Sequence, residues 1–378
     1  LPKEGENPYA CASDILKMWQ DKGILKIEDK PAIYIYEEEF SVGNTRKSIK
    51  GIIARVQLEE FSKGIILPHE FTLSKAKEDR LNLMKATNCN FSQIYALYMD
   101  EKHTTLATID EQSKAKADLE FTDETGVTHR LWIETDEEII AKLVADFADR
   151  KLYIADGHHR YETALNYRNY CRENVISKPG DPQDFQMIYL VDMEHPGLVV
   201  FPTHRLVRDL PNFDKEAVLE KCSEFFYIDE KEGTDTMEED LKKLYDEGKK
   251  AFGFYCGKGE WFLLTLKNID FMSQMLPNVS KASQSLDVSV LHTLILEKIF
   301  GIDKENMAKQ INLTYTKSFT EAIDGVDKGE FQCSFVLNPT RVTEIRDVAA
   351  AGEKMPQKST YFYPKMITGM VMNNLGVD

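Results

Sequence analysis

The chain has 378 residues, of which 42% are hydrophobic and 29% are charged, and its formal net charge at pH 7 is -16. This length exceeds what one hydrophobic core usually serves, so we expect two packed units, and the many aromatic residues exclude a disordered chain. The negative charge disfavours a DNA-binding protein, because a polyanion would approach against the field of the chain.

Neither a membrane segment nor a metal-binding cysteine pattern is visible in the sequence. No apolar run reaches the roughly 18 to 20 residues that a membrane-spanning helix needs, and no signal segment opens the chain. The six cysteines form no CxxC pair, so we expect reduced thiols and a cytoplasmic protein. Because Leu1 is not an initiator methionine, we also expect that a segment preceded it.

Hydrophobic periodicity and turn residues predict alternating helices and strands in the first half of the chain. In chain order we predict a helix over 7–23, a hairpin over 31–58, a helix from about Ser74, a strand over 92–100, short strands or loops over 100–128, a strand over 129–134, a helix over 136–150, and a strand, turn and helix over 151–167.

The second half continues with strands at 184–193 and 197–210, which we expect to share a sheet with strand 152–156. The remaining predictions are helices over 214–226, 287–300, 319–328 and 341–353, strands over 251–256, 261–266, 311–316 and 331–338, and a final ordered loop or short strand within 355–370. The predicted class is therefore α/β (α+β), with mixed sheets and flanking helices in two units, 1–212 and 213–378.

The strand LYIAD, residues 152–156, runs without a linker into Gly157 and then into a helix. Glycine permits a positive φ angle, and the first amides of a helix have no intrahelical acceptor, so an anion is a natural partner of such a turn. His158, His159 and Arg160 add donors, and Asp156 can orient a histidine or bind a metal. The alternative is an ordinary turn whose basic residues cap the helix.

Other polar clusters are candidates for the same site. His69, Glu70 and Thr72 precede a helix, where a carboxylate can accept a hydroxyl proton, although a buried His-Glu pair is equally compatible. At the end of strand 197–210, His204 and Arg205 are expected to join Arg160 in one cleft, because ligands gather at strand ends. The C-terminal cluster combines donors with stacking surfaces and consists of Lys358, Ser359, Thr360, Tyr361, Tyr363 and Lys365.

The segment GHHRYETA, residues 157–164, resembles the G-x-H-R-x-x-A box of the ParB and sulfiredoxin superfamily, which includes the free-serine kinases. The segments LPHEFTLSKAKEDRL, HRLWI, ADGHHRYETAL, LDVSVLH and MPQKSTYFYPK together resemble the domain-of-unknown-function family numbered 1015. The resemblance implies a ParB/sulfiredoxin-like core over roughly 129–212 and a box that binds nucleotide phosphates. Because His158 stands where a sulfiredoxin needs cysteine, a sulfiredoxin-like repair enzyme is set aside.

The resemblance implies phosphoryl transfer on a small hydroxy amino acid, either as a free L-serine kinase or as a phosphoserine-dephosphorylating enzyme. ATP, ADP or pyrophosphate would be the cosubstrate, with Mg2+ as a candidate cofactor and no metal-ligand set in the sequence. The alternative is a nucleotide-binding switch without turnover, and oligomerisation is left open. The predicted catalytic residues are Glu70, Asp156, His158 and His159; phosphate binding is assigned to Gly157, His158, His159, Arg160, His204 and Arg205, and substrate binding to His69, Thr72, Lys358, Ser359, Thr360 and Tyr361.

Overall fold

The computed structural model describes residues 5–70, 72, 74–234 and 236–376. The chain divides into two compact units: unit 1 comprises Leu1–Pro68, Thr72–Leu198 and Pro364–Asp378, and unit 2 comprises His69–Phe71 and Val199–Tyr363. Residues 199–212 therefore belong to unit 2 and the C-terminal segment to unit 1, whereas the sequence placed a single boundary after residue 212. The predicted class, mixed α/β with several sheets and flanking helices, is confirmed.

The elements of the described residues follow one another along the chain as α-helices and β-strands, with short 3-10 turns between some of them. The helices are α1 (Pro8–Asp21), α2 (Ser74–Thr87), α3 (Thr104–Gln112), α4 (Glu137–Asp146), α5 (His158–Glu173), α6 (Lys215–Cys222), α7 (Met237–Asp246), α8 (Asp270–Met275), α9 (Lys281–Gln284), α10 (Asp287–Val290), α11 (Lys304–Lys309), α12 (Phe319–Asp327) and α13 (Val342–Ala350). The strands are β1 (Ile33–Val42), β2 (Thr45–Gln57), β3 (Ile66–Leu67), β4 (Cys89–Asn90), β5 (Ile94–Tyr98), β6 (Leu119–Thr122), β7 (Thr128–Glu134), β8 (Leu152–Asp156), β9 (Phe185–Asp192), β10 (Val199–Phe201), β11 (His204–Val207), β12 (Phe226–Glu232), β13 (Ala251–Tyr255), β14 (Glu260–Leu266), β15 (Leu313–Thr316), β16 (Cys333–Val336), β17 (Tyr361–Tyr363) and β18 (Asn373–Asn374).

Unit 1 is organised around an eight-stranded sheet in the order β3-β8-β5-β9-β2-β1-β7-β6. The pairs β3–β8 and β5–β9 are parallel and the other pairs are antiparallel. Helix α5 packs its apolar side chains, among them Tyr161 and Leu165, into the core that contains Ile154 of β8. This packing fixes the position of α5 relative to β8, the strand that directly precedes it.

Unit 2 contains a six-stranded antiparallel sheet in the order β12-β14-β13-β16-β11-β15 and the short pair β10–β17. The prediction that strand 197–210 shares a sheet with β8 is wrong. The segment breaks into β10 and β11 around Pro202, which lacks a backbone N–H for a ladder. Strand β11 then pairs with β15 and β16 of unit 2.

Helix α3 is one of several elements that the sequence failed to predict, as are α7, α8, α11 and β12. Residues 100–128 were expected to form short strands or loops. The nine residues of α3 include two buried side chains, those of Thr105 and Ile109. The residue before it, His103, has a left-handed backbone conformation and makes no side-chain capping bond. With so few apolar residues and no capping signal, the helical period was hidden.

A buried acidic side chain lies on β1. Glu38 is 1% exposed, accepts a hydrogen bond of 3.1 Å from the Tyr36 hydroxyl, and has Nδ1 of His129 at 3.9 Å. Burial raises the pKa of Glu38 to about 8, against the smaller lowering effect of the Tyr36 hydrogen bond. The folded protein therefore holds this proton more tightly than the unfolded chain does.

We expect Glu38→Gln to become progressively stabilising relative to the wild type as the pH rises. Because the folded pKa of Glu38 exceeds the unfolded value, the contribution of this group to stability falls between about pH 4.5 and pH 8. The slope is at most about 1.4 kcal/mol per pH unit. Urea unfolding of both proteins between pH 5 and pH 8 measures the difference, and a gap that does not change with pH would contradict the buried-acid account.

Candidate functional site in unit 1

The predicted strand, glycine turn and helix over residues 152–167 are confirmed. Strand β8 ends at Asp156, Gly157 adopts a left-handed conformation with φ 99°, and α5 begins at His158. The first intrahelical bond to the turn runs from the Tyr161 N–H to the Gly157 carbonyl at 3.0 Å. Because glycine supplies no capping side chain, the start of α5 is suited to an external hydrogen-bond acceptor.

The Arg160 guanidinium is held by three acceptors of unit 1. Its Nη1 donates to the Ser92 hydroxyl at 3.1 Å and to the Gln93 carbonyl, and its Nη2 donates to Asp156 Oδ2 at 2.7 Å. Within the described chain these bonds leave the Nε–H and one Nη2–H of the five guanidinium donors. The side chain is thus fixed in direction and still has two donors on one edge.

That remaining edge of Arg160 lies against the glycine turn. A Cβ atom built on Gly157 would be 3.0 Å from both Nε and Nη2 of Arg160. Glycine is therefore favoured here for two reasons, its positive φ angle and the close approach of the guanidinium. The Nε–Nη2 edge is also the edge with which arginine binds two oxygens of a phosphate or carboxylate.

Asp156 lies between two cations. Its Oδ1 accepts from Lys365 Nζ at 2.8 Å, and its Oδ2 accepts from Arg160. Burial would raise the pKa of Asp156, but the charges of Lys365 and Arg160 outweigh it and hold the pKa below its usual range. A carboxylate whose oxygens are both bound by cations is a weak proton acceptor. The geometry therefore suits Asp156 to positioning Arg160 and Lys365.

We expect Asp156→Asn to destabilise unit 1 at pH 7 and to have little effect in acid. Since the folded pKa of Asp156 is lowered, its stabilising contribution is present above about pH 4 and is lost as the pH falls through the folded pKa. Because the side chain is 39% exposed, solvent screening limits the effect to less than about 1 kcal/mol. Urea unfolding at pH 7 and pH 3 measures it, with Asp110→Asn, from a pair with Lys50, as the control.

A small cavity of about 140 Å³ opens beside Arg160. Arg80 of α2 lines it together with polar side chains from neighbouring elements, namely those of Asn90, Ser92, Thr163 and Gln186. Burial lowers the pKa of Arg160, and the nearby charge of Arg80 lowers it further while Asp156 opposes this. Two guanidinium groups beside a space of this size favour an anion, because an anion relieves their mutual repulsion.

A second ion pair lies near the beginning of α5. Glu162 accepts from Lys77 Nζ at 2.6 Å and from the Thr72 hydroxyl at 2.7 Å. Thr72, which the sequence assigned to substrate binding, therefore lies in unit 1, beside helix α5. His158 is buried at 3% exposure, whereas His159 is half-buried. The catalytic and phosphate-binding roles predicted for the two histidines remain predictions.

The other predicted site residues lie in unit 2. Nε2 of His69 lies 3.2 Å from Thr360 Oγ1, and the His69 carbonyl accepts from the Met355 N–H at 2.8 Å. The neighbouring Glu70 is half-buried. These contacts join His69 to Thr360 and Met355 within unit 2.

His204 and Arg205, predicted to bind phosphate with Arg160, are buried in unit 2. Burial and the charge of Arg205 lower the pKa of His204 to about 4, so its ring is neutral. Arg205 is 0% exposed, and its guanidinium donates to the carbonyls of Thr203 and Lys358. Strand β11 is an internal strand of its sheet, flanked by β16 and β15, and these side chains are enclosed there.

Within the C-terminal cluster, Ser359 is 6% exposed and donates to the Pro356 carbonyl. Tyr361 lies beside Lys317, whose Nζ is 4.6 Å from the ring centroid. Lys358 has a left-handed backbone with φ 57°. Lys365, the last residue of the predicted cluster, contacts Asp156, a partner that the sequence did not assign to it.

Two features of the described residues bear on metal binding and on membrane insertion. No group of three His, Cys, Asp or Glu side chains in residues 5–376, as far as they are described, could hold a metal ion. Both Asp156 oxygens are bound by cations, so Asp156 is not available as a ligand of Mg2+. No helix of the described chain is long and apolar enough to span a bilayer.

Comparisons with known proteins yield a family match and distant structural similarities. The model of a family described as a protein of unknown function, DUF1015, matches residues 1–289. A search of curated proteins finds no match. A conserved hypothetical protein from Pyrococcus furiosus is 15% identical with a TM-score of 0.40, covering 85% of this chain and 95% of its own.

Two further solved structures are similar to the chain at comparable distance. A free serine kinase mutant in complex with ADP is 12% identical with a TM-score of 0.41, and the match covers 82% of this chain and 87% of the kinase. SbnI with a C-terminal truncation, from Staphylococcus aureus, is 11% identical with a TM-score of 0.38, and the match covers 85% of each chain.

Proposed function

The chain belongs to the DUF1015 family of proteins of unknown function, and we propose that it transfers a phosphoryl group between a nucleotide or pyrophosphate and a small hydroxy amino acid. Free L-serine is the proposed acceptor, and phosphoserine is the proposed donor in the reverse direction. The observation that carries this proposal is the Nε–Nη2 edge of Arg160 held against Gly157 at the start of α5.

The proposed phosphate site combines fixed donors with local positive charge. A terminal phosphate would accept from the Arg160 edge and from the first amides of α5, where the helix dipole adds about half a positive charge. Lys365 and Arg80 supply further positive charge against the overall charge of -16. Phosphoryl transfer depends mainly on such positioning and charge stabilisation.

In the proposed reaction the serine hydroxyl oxygen bonds to the terminal phosphorus of the donor. The bond from that phosphorus to its bridging oxygen breaks, and the hydroxyl proton passes to a carboxylate. Asp156 is committed to Lys365 and Arg160, so the sequence leaves Glu70, a residue of unit 2, as the predicted proton acceptor. The substrate-binding roles of His69, Thr72, Lys358, Ser359, Thr360 and Tyr361 stay predictions.

The test is the formation of O-phosphoserine from L-serine, followed by phosphorus NMR, with ATP, ADP and pyrophosphate supplied separately. The reverse direction uses phosphoserine with AMP, ADP or inorganic phosphate. We expect turnover with at least one donor and its loss in Arg160→Ala, while Arg172→Ala, at the last turn of the same helix, retains it. Nucleotide binding without turnover in either direction would support a nucleotide-binding switch instead.

A further inference from the structure

A cavity of about 630 Å³ lies within unit 2, and it is lined only by residues between 276 and 357. Its volume is in the range of sites for small organic molecules, about 300 to 1,000 Å³. Apolar side chains such as Val279, Met307 and Pro356 form much of its wall. The proposed phosphoryl transfer assigns no role to this space.

One wall of the cavity is an irregular helix. Helix α10 continues at Leu291 into a π-helical segment that ends at Glu297. Three polar residues on this continuous helix, Ser289, His292 and Thr293, line the cavity. Their spacing of three and four residues places them on one face. Such π-helical turns occur frequently at functional sites, where they redirect side chains.

The hydrogen bonds of His292 fix which ring nitrogen carries its proton. Arg205 lies beside Nε2 of His292, with its Nε at 3.3 Å and its Nη2 at 3.2 Å. Because a guanidinium can only donate, Nε2 is the acceptor and the proton is on Nδ1. Burial and the charge of Arg205 lower the pKa of His292 well below its usual range. The ring is therefore a neutral N–H donor at the cavity wall.

Arg205 is a buried charge without a counterion. It is 0% exposed, and no carboxylate of the residues that the structure describes forms an ion pair with it. Its neighbours are two carbonyls, His292 and the ring of Tyr315, whose centroid is 5.3 Å away. The buried Tyr315 hydroxyl has no hydrogen-bond partner in the described chain. An uncompensated buried cation creates a positive potential at the wall formed by His292 and Tyr315.

We propose that this cavity binds a small organic anion with an apolar or aromatic body. The anionic group would accept from His292 and Tyr315 in the field of Arg205, and the apolar body would contact Val279 and Met307. Of the charged residues at the cavity, Glu353 is already bound by the Ser280 N–H and hydroxyl at 2.6 Å. A carboxylate can only accept hydrogen bonds, and that of Glu353 already accepts these two. It therefore does not offer a cation a site equivalent to the one proposed for the anion.

A matched pair of fluorescent probes tests the proposal on the full chain. The anion is 1-anilinonaphthalene-8-sulfonate, and N-phenyl-1-naphthylamine is its uncharged analogue. We expect the anionic probe to bind more tightly than the neutral one. Lys304→Met, at an exposed lining position, should weaken binding of the anionic probe about threefold and leave the affinity for the neutral probe unchanged. The variant Glu297→Gln should strengthen anion binding by a similar factor.

A variant that fills the cavity distinguishes probe binding at this site from probe binding at other apolar surfaces. Ala308 lines the cavity from an exposed position, so Ala308→Trp should weaken binding of the anionic probe by more than about tenfold. Ala350→Trp, at an exposed position of α13 outside the cavity, should leave affinity unchanged. A methyl shift of carbon-13-labelled Met307 on probe addition would locate the ligand. Equal affinities for the two probes, equal behaviour of the two tryptophan variants, or no Met307 shift would overturn the proposal.

Discussion

Replacement of Arg160 by alanine is expected to weaken nucleotide or pyrophosphate binding by about 100-fold. Each hydrogen bond from a charged group contributes about 1.5–3 kcal/mol, and Arg160 offers two such donors on one edge. Its other donors are occupied by Ser92, Gln93 and Asp156, so the side chain needs no reorganisation on binding. Isothermal titration calorimetry with ADP and with pyrophosphate measures the loss.

Two variants control this prediction. Arg160→Lys keeps the charge but removes the two-donor edge, so we expect it to recover only a small part of the affinity. Arg172→Ala removes an arginine of the same helix that pairs with Asp184 at 2.7 Å, and it should bind as the wild type does. Equal affinity in Arg160→Ala and the wild type would exclude this turn as the phosphate site.

Replacement of Gly157 by alanine is expected to have the second-largest effect. A left-handed conformation costs a non-glycine residue about 1–2 kcal/mol, and the added Cβ would lie 3.0 Å from Nε and Nη2 of Arg160. The guanidinium must then shift by a few tenths of an ångström, which also changes its geometry with Asp156. We therefore expect a loss of about 1–3 kcal/mol in the free energy of unfolding, together with at least tenfold weaker pyrophosphate binding.

Gly180 provides a matched control in the same unit. Its φ angle is 94°, close to that of Gly157, but an added Cβ would meet no atom within 4 Å. Gly180→Ala therefore carries the free-energy cost of a left-handed non-glycine residue without a close contact of the added Cβ. We expect it to lower stability to a smaller extent and to leave ligand affinity unchanged, as measured by urea unfolding and calorimetry. If both variants lost affinity equally, the contact with Arg160 would not be the cause.

Local sequence patterns predicted much of the fold. The hairpin of β1 and β2 follows from alternating apolar residues around Gly43-Asn44, and α1 begins after Asn7, whose side chain caps it. The turn at Gly157 was visible because an apolar strand, a glycine and a helix follow one another directly. These features depend on neighbours in sequence, so a single chain is enough to find them.

Contacts between distant parts of the chain could not be predicted in the same way. Lys365 contacts Asp156 across 209 residues, and the partner of Arg160 at Ser92 lies 68 residues away. No local pattern marks Ser92, and Lys365 was one of several polar residues in a motif. The order of strands in a sheet decides such contacts, and the wrong sheet assigned to β11 also misplaced His204 and Arg205.

The structure also changes the chemical roles that are reasonable for the predicted residues. Asp156 was a candidate base or metal ligand, but its two cationic partners make it a positioning residue in our proposal. Arg205 was a candidate phosphate ligand, but it is completely buried beside His292 and Tyr315, and in our further inference it acts on the unit 2 cavity only through its charge. Charge alone did not distinguish an arginine that can meet a ligand from one that is enclosed.

The central claim, that an oxyanion binds where Gly157 meets α5, is tested most directly by NMR titration of the labelled chain with pyrophosphate. We predict saturable amide shifts at residues 157–160 and a shift of the Arg160 side-chain Nε–H. Amides near Gly180 should not shift, and Arg160→Ala should abolish the response. Binding that leaves residues 157–160 unchanged, or a response that persists in Arg160→Ala, would contradict the account.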